Sequence, residues 1–352
     1  IDQQLPDFYQ QLIPQQHYPL SWQPEHFNDI QQWRTKGRAA LREALLWPDE
    51  PVDFAAKLLK TEARDGYSAQ LWSVQLTKQS RVQLLLLQPD AAKPVPAVLL
   101  LHDHGARFDI GKEKWVQPFA TDVRLPSAQQ WADKYFSGNF VGDALAKQGY
   151  LVIAADTFGW SERGPVEFSA QQALASNMFL LGRSLAGMAA YEDLRLVQFA
   201  KQLPEADSSR LAVLGFSMGA YKAWQLAALT DDIKAAVAVS WMNDYQHLLQ
   251  PGNNILRGQS AFYMLHPGLA GGQPAAAHRG QHRGGLQQLR RARTQRSRCA
   301  GHQHARRVDR DHGRLRLCAD HGHGPAPDRE RGALPDARGC HERRPLHCRP
   351  WT

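Results

Sequence analysis

Residues 211–228 read LAVLGFSMGAYKAWQLAA. An apolar run over 211–214 meets Gly215-Phe216-Ser217-Met218-Gly219, and helix-forming residues follow over 220–229. The pattern predicts a buried strand, a tight turn and a helix, with Ser217 at the apex. Glycines two positions either side of the serine remove Cβ atoms that would collide with neighbouring backbone. The serine can then take up a strained conformation with its hydroxyl exposed. The start of the following helix would aim unpaired N–H groups and partial positive charge at an oxyanion formed there. A bare Gly-x-Ser-x-Gly is as often a structural turn; the flanking strand and helix are what favour a nucleophile. Ser217 is therefore expected to be the nucleophile, and the Met218 backbone N–H one oxyanion donor.

Working outward, residues 95–101 form an unbroken apolar run, as a strand covered on both faces would. It ends in Leu101-His102-Asp103-His104-Gly105-Ala106. Loops at the carboxyl edge of parallel strands are where open α/β sheets bind ligands. The turn is expected to bring the Ala106 N–H towards the Ser217 hydroxyl as a second oxyanion donor. The side chains of His102, Asp103 and His104 are expected to support the loop by hydrogen bonding. Residues 107–136, including Gly111-Lys112-Glu113-Lys114-Trp115, read as an insertion near the site mouth whose charges are solvated.

Residues 141–148 read as a short helix and 150–155 as the next strand, ending in Asp156-Thr157-Phe158-Gly159-Trp160-Ser161-Glu162-Arg163. Helical spacing returns over 170–203, and 233–241 read as one more buried strand. Strands alternating with helices imply an α/β fold with a mostly parallel, doubly wound sheet and helices on both faces. Nearer the N-terminus, 69–76 and 81–87 alternate as an antiparallel hairpin would. Residues 27–47 have helical spacing, stopped by Pro48, and the Gln- and Pro-rich residues 1–23 read as an extended surface arm.

The composition changes abruptly near residue 270. Residues 271–352 hold 18 Arg, no Lys, 9 His, 7 acidic residues and all four Cys, but no Ile, Phe, Tyr or Met. The first 270 residues hold 24 basic against 27 acidic residues, so the formal +8 belongs to the tail alone and says nothing of ligand steering by the body. The cysteine-free body suits a periplasmic, secreted or cytoplasmic protein alike. No apolar run approaches the ~20 residues that cross a bilayer, so no membrane partner is expected. The chain begins at Ile1 without an initiator Met and without a visible signal peptide, and an earlier N-terminus is expected to have been removed or left out.

The body resembles the α/β-hydrolase superfamily, and within it the dienelactone hydrolase and acetyl-xylan-esterase-like branch. Residues 101–105, 111–114, 156–163 and 215–219 carry the resemblance, together with 182–195, which resemble the helix before the nucleophile strand. The matches span roughly residues 70–258. The resemblance implies a two-step serine mechanism on carboxylic esters, with a small-molecule or carbohydrate ester as substrate. A serine hydroxyl is a weak nucleophile at neutral pH, so it needs a base and a group to orient that base.

The family order is serine, then an acid after a later strand, then a histidine. After Trp241 the sequence supplies no further apolar strands. Asp244, just past the strand ending at Trp241, is the candidate acid, against a competing reading as a loop carboxylate. His247 lies too close to it in sequence to be an obvious base. Asp309, Asp320, His321, His323 and His341 have the right types and order, but nothing around them would place them in a sheet. The tail is expected to be a wrong-frame reading of a GC-rich gene or a disordered basic segment. Its two Cys-Ala-x-His-x-His stretches, 299–304 and 318–323, carry zinc-ligand types without apolar support, so no metal and no cofactor are assigned.

Three regions follow: 1–60 as an N-terminal arm and helix, 61–268 as an incomplete α/β-hydrolase core lacking C-terminal strands, and 269–352 as the Arg/His/Gly-rich tail. The leading function is a serine ester hydrolase, impaired as written because its acid and histidine are not identifiable. The competing functions are a non-catalytic hydrolase relative and a protein binding nucleic acid through its basic tail. The tail lacks aromatic residues to stack on bases, so no specific nucleic-acid partner is expected.

Overall fold

The computed structural model describes residues 7–15, 18–48, 50–164, 166–241, 245–250 and 262–264. The tail, Asp244 and the boundary at 268/269 lie outside the described residues.

The sheet is organised around β4 (Val95–Leu101). Its run of apolar residues alternates between two cores. Leu99 and Leu101 pack on the face covered by α6 (Leu185–Gln202) and α7 (Met218–Leu229), with Leu194, Val197 and Leu226. Val98 and Leu100 pack on the opposite face with Trp115, Val116, Phe119 and Ala146, the last from α4 (Val141–Lys147). A strand apolar on both sides in sequence is thus covered on both sides in space.

Among the described residues, seven strands run in the order β1-β2-β3-β5-β4-β6-β7. β1 (Lys57–Arg64), β2 (Tyr67–Gln75) and β3 (Arg81–Pro89) form an antiparallel meander, and β3 joins β5 (Leu151–Ala155) antiparallel. β5, β4, β6 (Ala206–Phe216) and β7 (Ile233–Val239) are mutually parallel. The chain leaves β4 for β5 on one side and then crosses to β6 on the other. β4 is therefore the switch point, and it is beyond the carboxyl ends of the strands there, β4, β5 and β6, that such sheets bind ligands. No helix among the described residues is long and apolar enough to cross a membrane.

Three expectations are corrected, and one strand lies outside them. Residues 7–15 are helical, as α1 (Asp7–Leu12) and a 3-10 turn over Ile13–Gln15, because Gln and Leu allow a helix where Pro is sparse. β1 was not read from its charged sequence, since an exposed edge strand has no apolar face to alternate. The helical run 170–203 is broken into α5 (Phe168–Leu180) and α6: Gly182 has φ +67°, and Ser184 caps α6 by accepting from the Gly187 N–H. β7 forms as expected but is not buried. Val237 and Val239 are 43% and 41% exposed, because β7 ends the described sheet, paired to β6 alone. α2 (Ile30–Ala44), by contrast, packs Leu41 and Ala44 against Ala186, Ala190 and Leu229, as its spacing predicts.

Candidate active site

Ser217 stands between the last residue of β6 and the first of α7 with φ 53° and ψ −115°. That conformation is costly for any residue with a Cβ and persists only where the surroundings impose it. Here both flanking glycines are forced. A Cβ on Gly215 would lie 1.9 Å from the Gly219 carbonyl oxygen, and one on Gly219 would lie 1.9 Å from the Leu101 carbonyl oxygen. The turn is thus packed directly on the end of β4, where Leu101 is the register partner of Gly215. Ser217 is half-buried and its N–H donates to Val239 O at 2.9 Å. Met218 opens α7, so its N–H has no acceptor within the helix.

The loop leaving β4 is held by side chains. His102 Nδ1 lies 2.8 Å from Asp103 O, which can only accept, so Nδ1 carries the hydrogen and Nε2 accepts from the Thr157 N–H at 3.0 Å. His102 is buried, and burial pushes its pKa well below the usual histidine range, assisted by Lys114 and Lys222. His104 has the opposite tautomer. Its Nε2–H donates to Gln171 Oε1 at 2.9 Å, and its Nδ1 accepts from the Ala106 N–H at 3.3 Å. Burial lowers His104 as well. The expected second oxyanion donor, the Ala106 N–H, is therefore held within its own loop by a long bond, with Ala106 at φ +49°. Phe108, Trp160 and Tyr263 surround the His104 ring at 5.5, 5.1 and 6.3 Å between centroids.

Contrary to the solvated face their pattern predicts, Lys112, Glu113 and Lys114 are buried. The Lys112 ammonium lies 2.5 Å from Asp156 Oδ2, 2.6 Å from Glu162 Oε2 and 3.0 Å from Glu113 Oε1. Burial works against its charge, but the three carboxylates outweigh it and hold its pKa above the ordinary lysine value. Burial pushes Asp156 up against the pull of Lys112, whereas at Glu162 burial is outweighed by that pull together with hydrogen bonds to Asp156, Lys112 and the backbone, which lower it to about 2. Arg124 closes the cluster on Glu113 at 2.8 Å and Glu162 at 3.3 Å. The carboxylates of Glu113, Asp156 and Glu162 have oxygens within 4.8 Å of one another, the spacing of a cation site. Lys112 supplies that cation itself, so the arrangement fits an internal ion cluster better than a metal.

Lys114 is separate from this cluster. Its Nζ lies 3.1 Å from both Asp103 O and His104 O and 3.4 Å from Asp103 Oδ2, and 4.7 Å from the Trp131 ring centroid. Burial lowers the Lys114 pKa and raises that of Asp103. Lys222, on α7, donates to Thr157 Oγ1 at 2.7 Å and lies 3.2 Å from Asp193 Oδ2. Sequence reasoning did not single out Lys114 or Lys222 by role. The available signal was weak: a Lys-Glu-Lys run beside tryptophan, and one lysine in an otherwise apolar helix.

Four histidines lie within the described residues: His26, His102, His104 and His247. His102 and His104 have both ring nitrogens in use. His26 Nδ1 contacts Ser21, and His247 is exposed on the short helix α8 (Tyr245–Leu248).

An elbow serine at the switch point of a seven-stranded sheet, with a loop from β4 beside it, defines an α/β hydrolase. The chain belongs to the Abhydrolase family, whose model matches residues 8–249. It is 28% identical over 217 residues to the candidate hydrolase YtaP of Bacillus subtilis (strain 168), covering 61% of this chain and 66% of YtaP. The match thus spans slightly under two thirds of that relative. A candidate acetyl xylan esterase from Bacteroides fragilis NCTC 9343 shares the fold, with a TM-score of 0.59 at 20% identity over 76% of this chain and 69% of its own. A 134-residue segment is also 33% identical to L-arabinose isomerase of Aeromonas salmonicida (strain A449), over 36% of this chain and 26% of the isomerase. That span is too short to bear on activity.

Proposed function

We propose that this chain is a serine-dependent carboxylic ester hydrolase that works through an acyl-enzyme on Ser217. The observation that carries the reading is the left-handed conformation of Ser217, imposed by two glycines that have no room for a Cβ. In the first step the Ser217 oxygen bonds to the ester carbonyl carbon, its proton passes to a base, and the carbonyl oxygen becomes an oxyanion. Met218 N–H and Ala106 N–H are its proposed donors. The Ala106 N–H would leave a long bond to neutral His104 for a charged acceptor, which binds a donor more strongly. Collapse of the intermediate expels the alcohol, which takes the proton, and water then releases the acid by the same route.

The base is assigned to residues outside those described, since His102 and His104 are occupied and His247 is exposed. Asp244 stays the proposed acid. Because no stretch of residues 269–352 reads in sequence as an apolar strand, we take the chain as written to be an impaired form of this enzyme. Small acyl esters and acetylated sugars are the proposed substrates, the latter suggested by the name of the Bacteroides fragilis protein whose fold it shares.

A fluorophosphonate probe tests the nucleophile directly. The full chain should gain one adduct, located by mass spectrometry on Ser217, and Ser217→Ala should gain none. p-Nitrophenyl acetate should then be cleaved in preference to longer acyl chains. A chain with its reading frame restored across residues 267–274 that is labelled no faster than its Ser217→Ala variant would overturn the reading and favour a non-catalytic relative.

A further inference from the structure

Lys114 is buried to 0% exposure, yet its three donors are spent on one short loop. They go to the carbonyls of Asp103 and His104 and to the Asp103 carboxylate. An ammonium has three N–H donors, so this set saturates it. Trp160 Nε1 adds a second bond to His104 O at 3.2 Å, and the Trp131 ring lies against the ammonium.

In a trans peptide the C=O and N–H point in opposite directions. Two successive carbonyls gathered on one cation therefore turn the N–H groups of His104 and Gly105 to the other side of the loop. The next two residues, Gly105 and Ala106, are both left-handed, at φ 54° and 49°. Gly105 has no alternative, because a Cβ there would lie 2.2 Å from Asp103 Oδ2 and 2.3 Å from Trp131. Ala106, however, has a Cβ and would relax to a right-handed or extended conformation if its predecessors were released. The same loop starts at Leu101 and His102, whose carbonyls touch the Gly219 position of the elbow.

We propose that Lys114 is the positioning residue of the oxyanion loop, holding the 103–106 backbone so that its N–H groups face the Ser217 side. Lys114 touches no substrate; it acts through the peptides it collects. The proposal rests on the serine-hydrolase reading for its catalytic consequence, but not for its structural one. The Asp103 carboxylate, at 3.4 Å, balances the charge of the buried ammonium while the two carbonyls fix the backbone.

Two measurements on the full chain test it. Amide hydrogen exchange over residues 103–107 should be at least about tenfold faster in Lys114→Met than in wild type, with exchange in β4 and β6 unchanged. Fluorophosphonate labelling of Ser217 should slow by about 10²–10³-fold, as for loss of an oxyanion donor. Asp65→Asn, at an exposed residue paired to Lys147 and outside the loop, should change either readout by less than about threefold. Lys114→Arg, which keeps the cation, should lie between the two and serves if Lys114→Met does not fold. Unchanged loop exchange in both lysine variants overturns the proposal, as does faster exchange spread evenly through the sheet. Loop exchange that rises in a chain whose frame-restored form is never labelled upholds the clamp and sinks the serine reading instead.

Discussion

Replacing Lys112 with methionine should destabilise the fold in a way that depends on pH. Lys112 is buried against three carboxylates at 2.5, 2.6 and 3.0 Å. Glu113 and Glu162 would keep Arg124. Asp156, whose side chain is fully buried, would keep the backbone N–H of residue 112 and its contact with Glu162 but lose its cation. Breaking a buried pair by removing one partner costs about 3–5 kcal/mol. At about 2–4 °C per kcal/mol for a body of this size, the midpoint should fall by about 6–20 °C near neutral pH.

The sign of the pH effect follows from Asp156. Losing Lys112 raises its folded pKa further above the unfolded value, so the folded variant holds a proton that the unfolded chain releases. Such a group costs stability as pH rises and returns it as pH falls. The deficit against wild type should therefore narrow by about 1.4 kcal/mol per pH unit on acidification from the variant's folded Asp156 pKa down to the wild type's, which burial already raises. In the wild type Glu162, held down to about 2, contributes in the opposite sense, but its stabilisation is lost only below the usual glutamate range of about 4.5. Urea titrations from pH 5 to 8 on both proteins would measure this. A variant within about 1 kcal/mol of wild type with the same pH slope would refute the account of the cluster as a structural tie.

Asp193, buried in α6 and facing Lys222, Glu192 and Arg163, is pushed up to about 6 by burial. Asp193→Asn should remove a loss of stability that the wild type suffers as pH rises from about 4 to 6, roughly 3 kcal/mol at most, seen as a pH-dependent difference in urea midpoints. At the exposed edge strand, Val237→Thr should shift stability by no more than about 0.5 kcal/mol. The same change at Val213, which is fully buried in β6, should cost more than about 1 kcal/mol, and calorimetry on the two variants compares them directly.

The residues that repeat with a local period were legible in advance. β4 occupies 95–101 as its apolar run predicts, the hairpin of β2 and β3 follows its alternation, and the elbow lies where two glycines flank Ser217. In each case neighbouring residues alone decide which backbone shape is accessible, so a short window suffices. Sequence periodicity did not reveal that Lys112 and Lys114 are buried, because a lysine is tolerated inside only when partners from other segments arrive to meet it. Those partners are Asp156 and Glu162 for one and the β4 loop for the other. Nor could it show that β7 is exposed, since an apolar strand looks the same whether or not another element covers it. The tautomers of His102 and His104 were equally hidden, being fixed by Thr157, 55 residues away, and Gln171, 67 residues away. Chain-local sterics made the Ser217 turn readable; burial of charge and the state of each imidazole are set by groups distant in sequence, and only the tertiary structure brings those groups together.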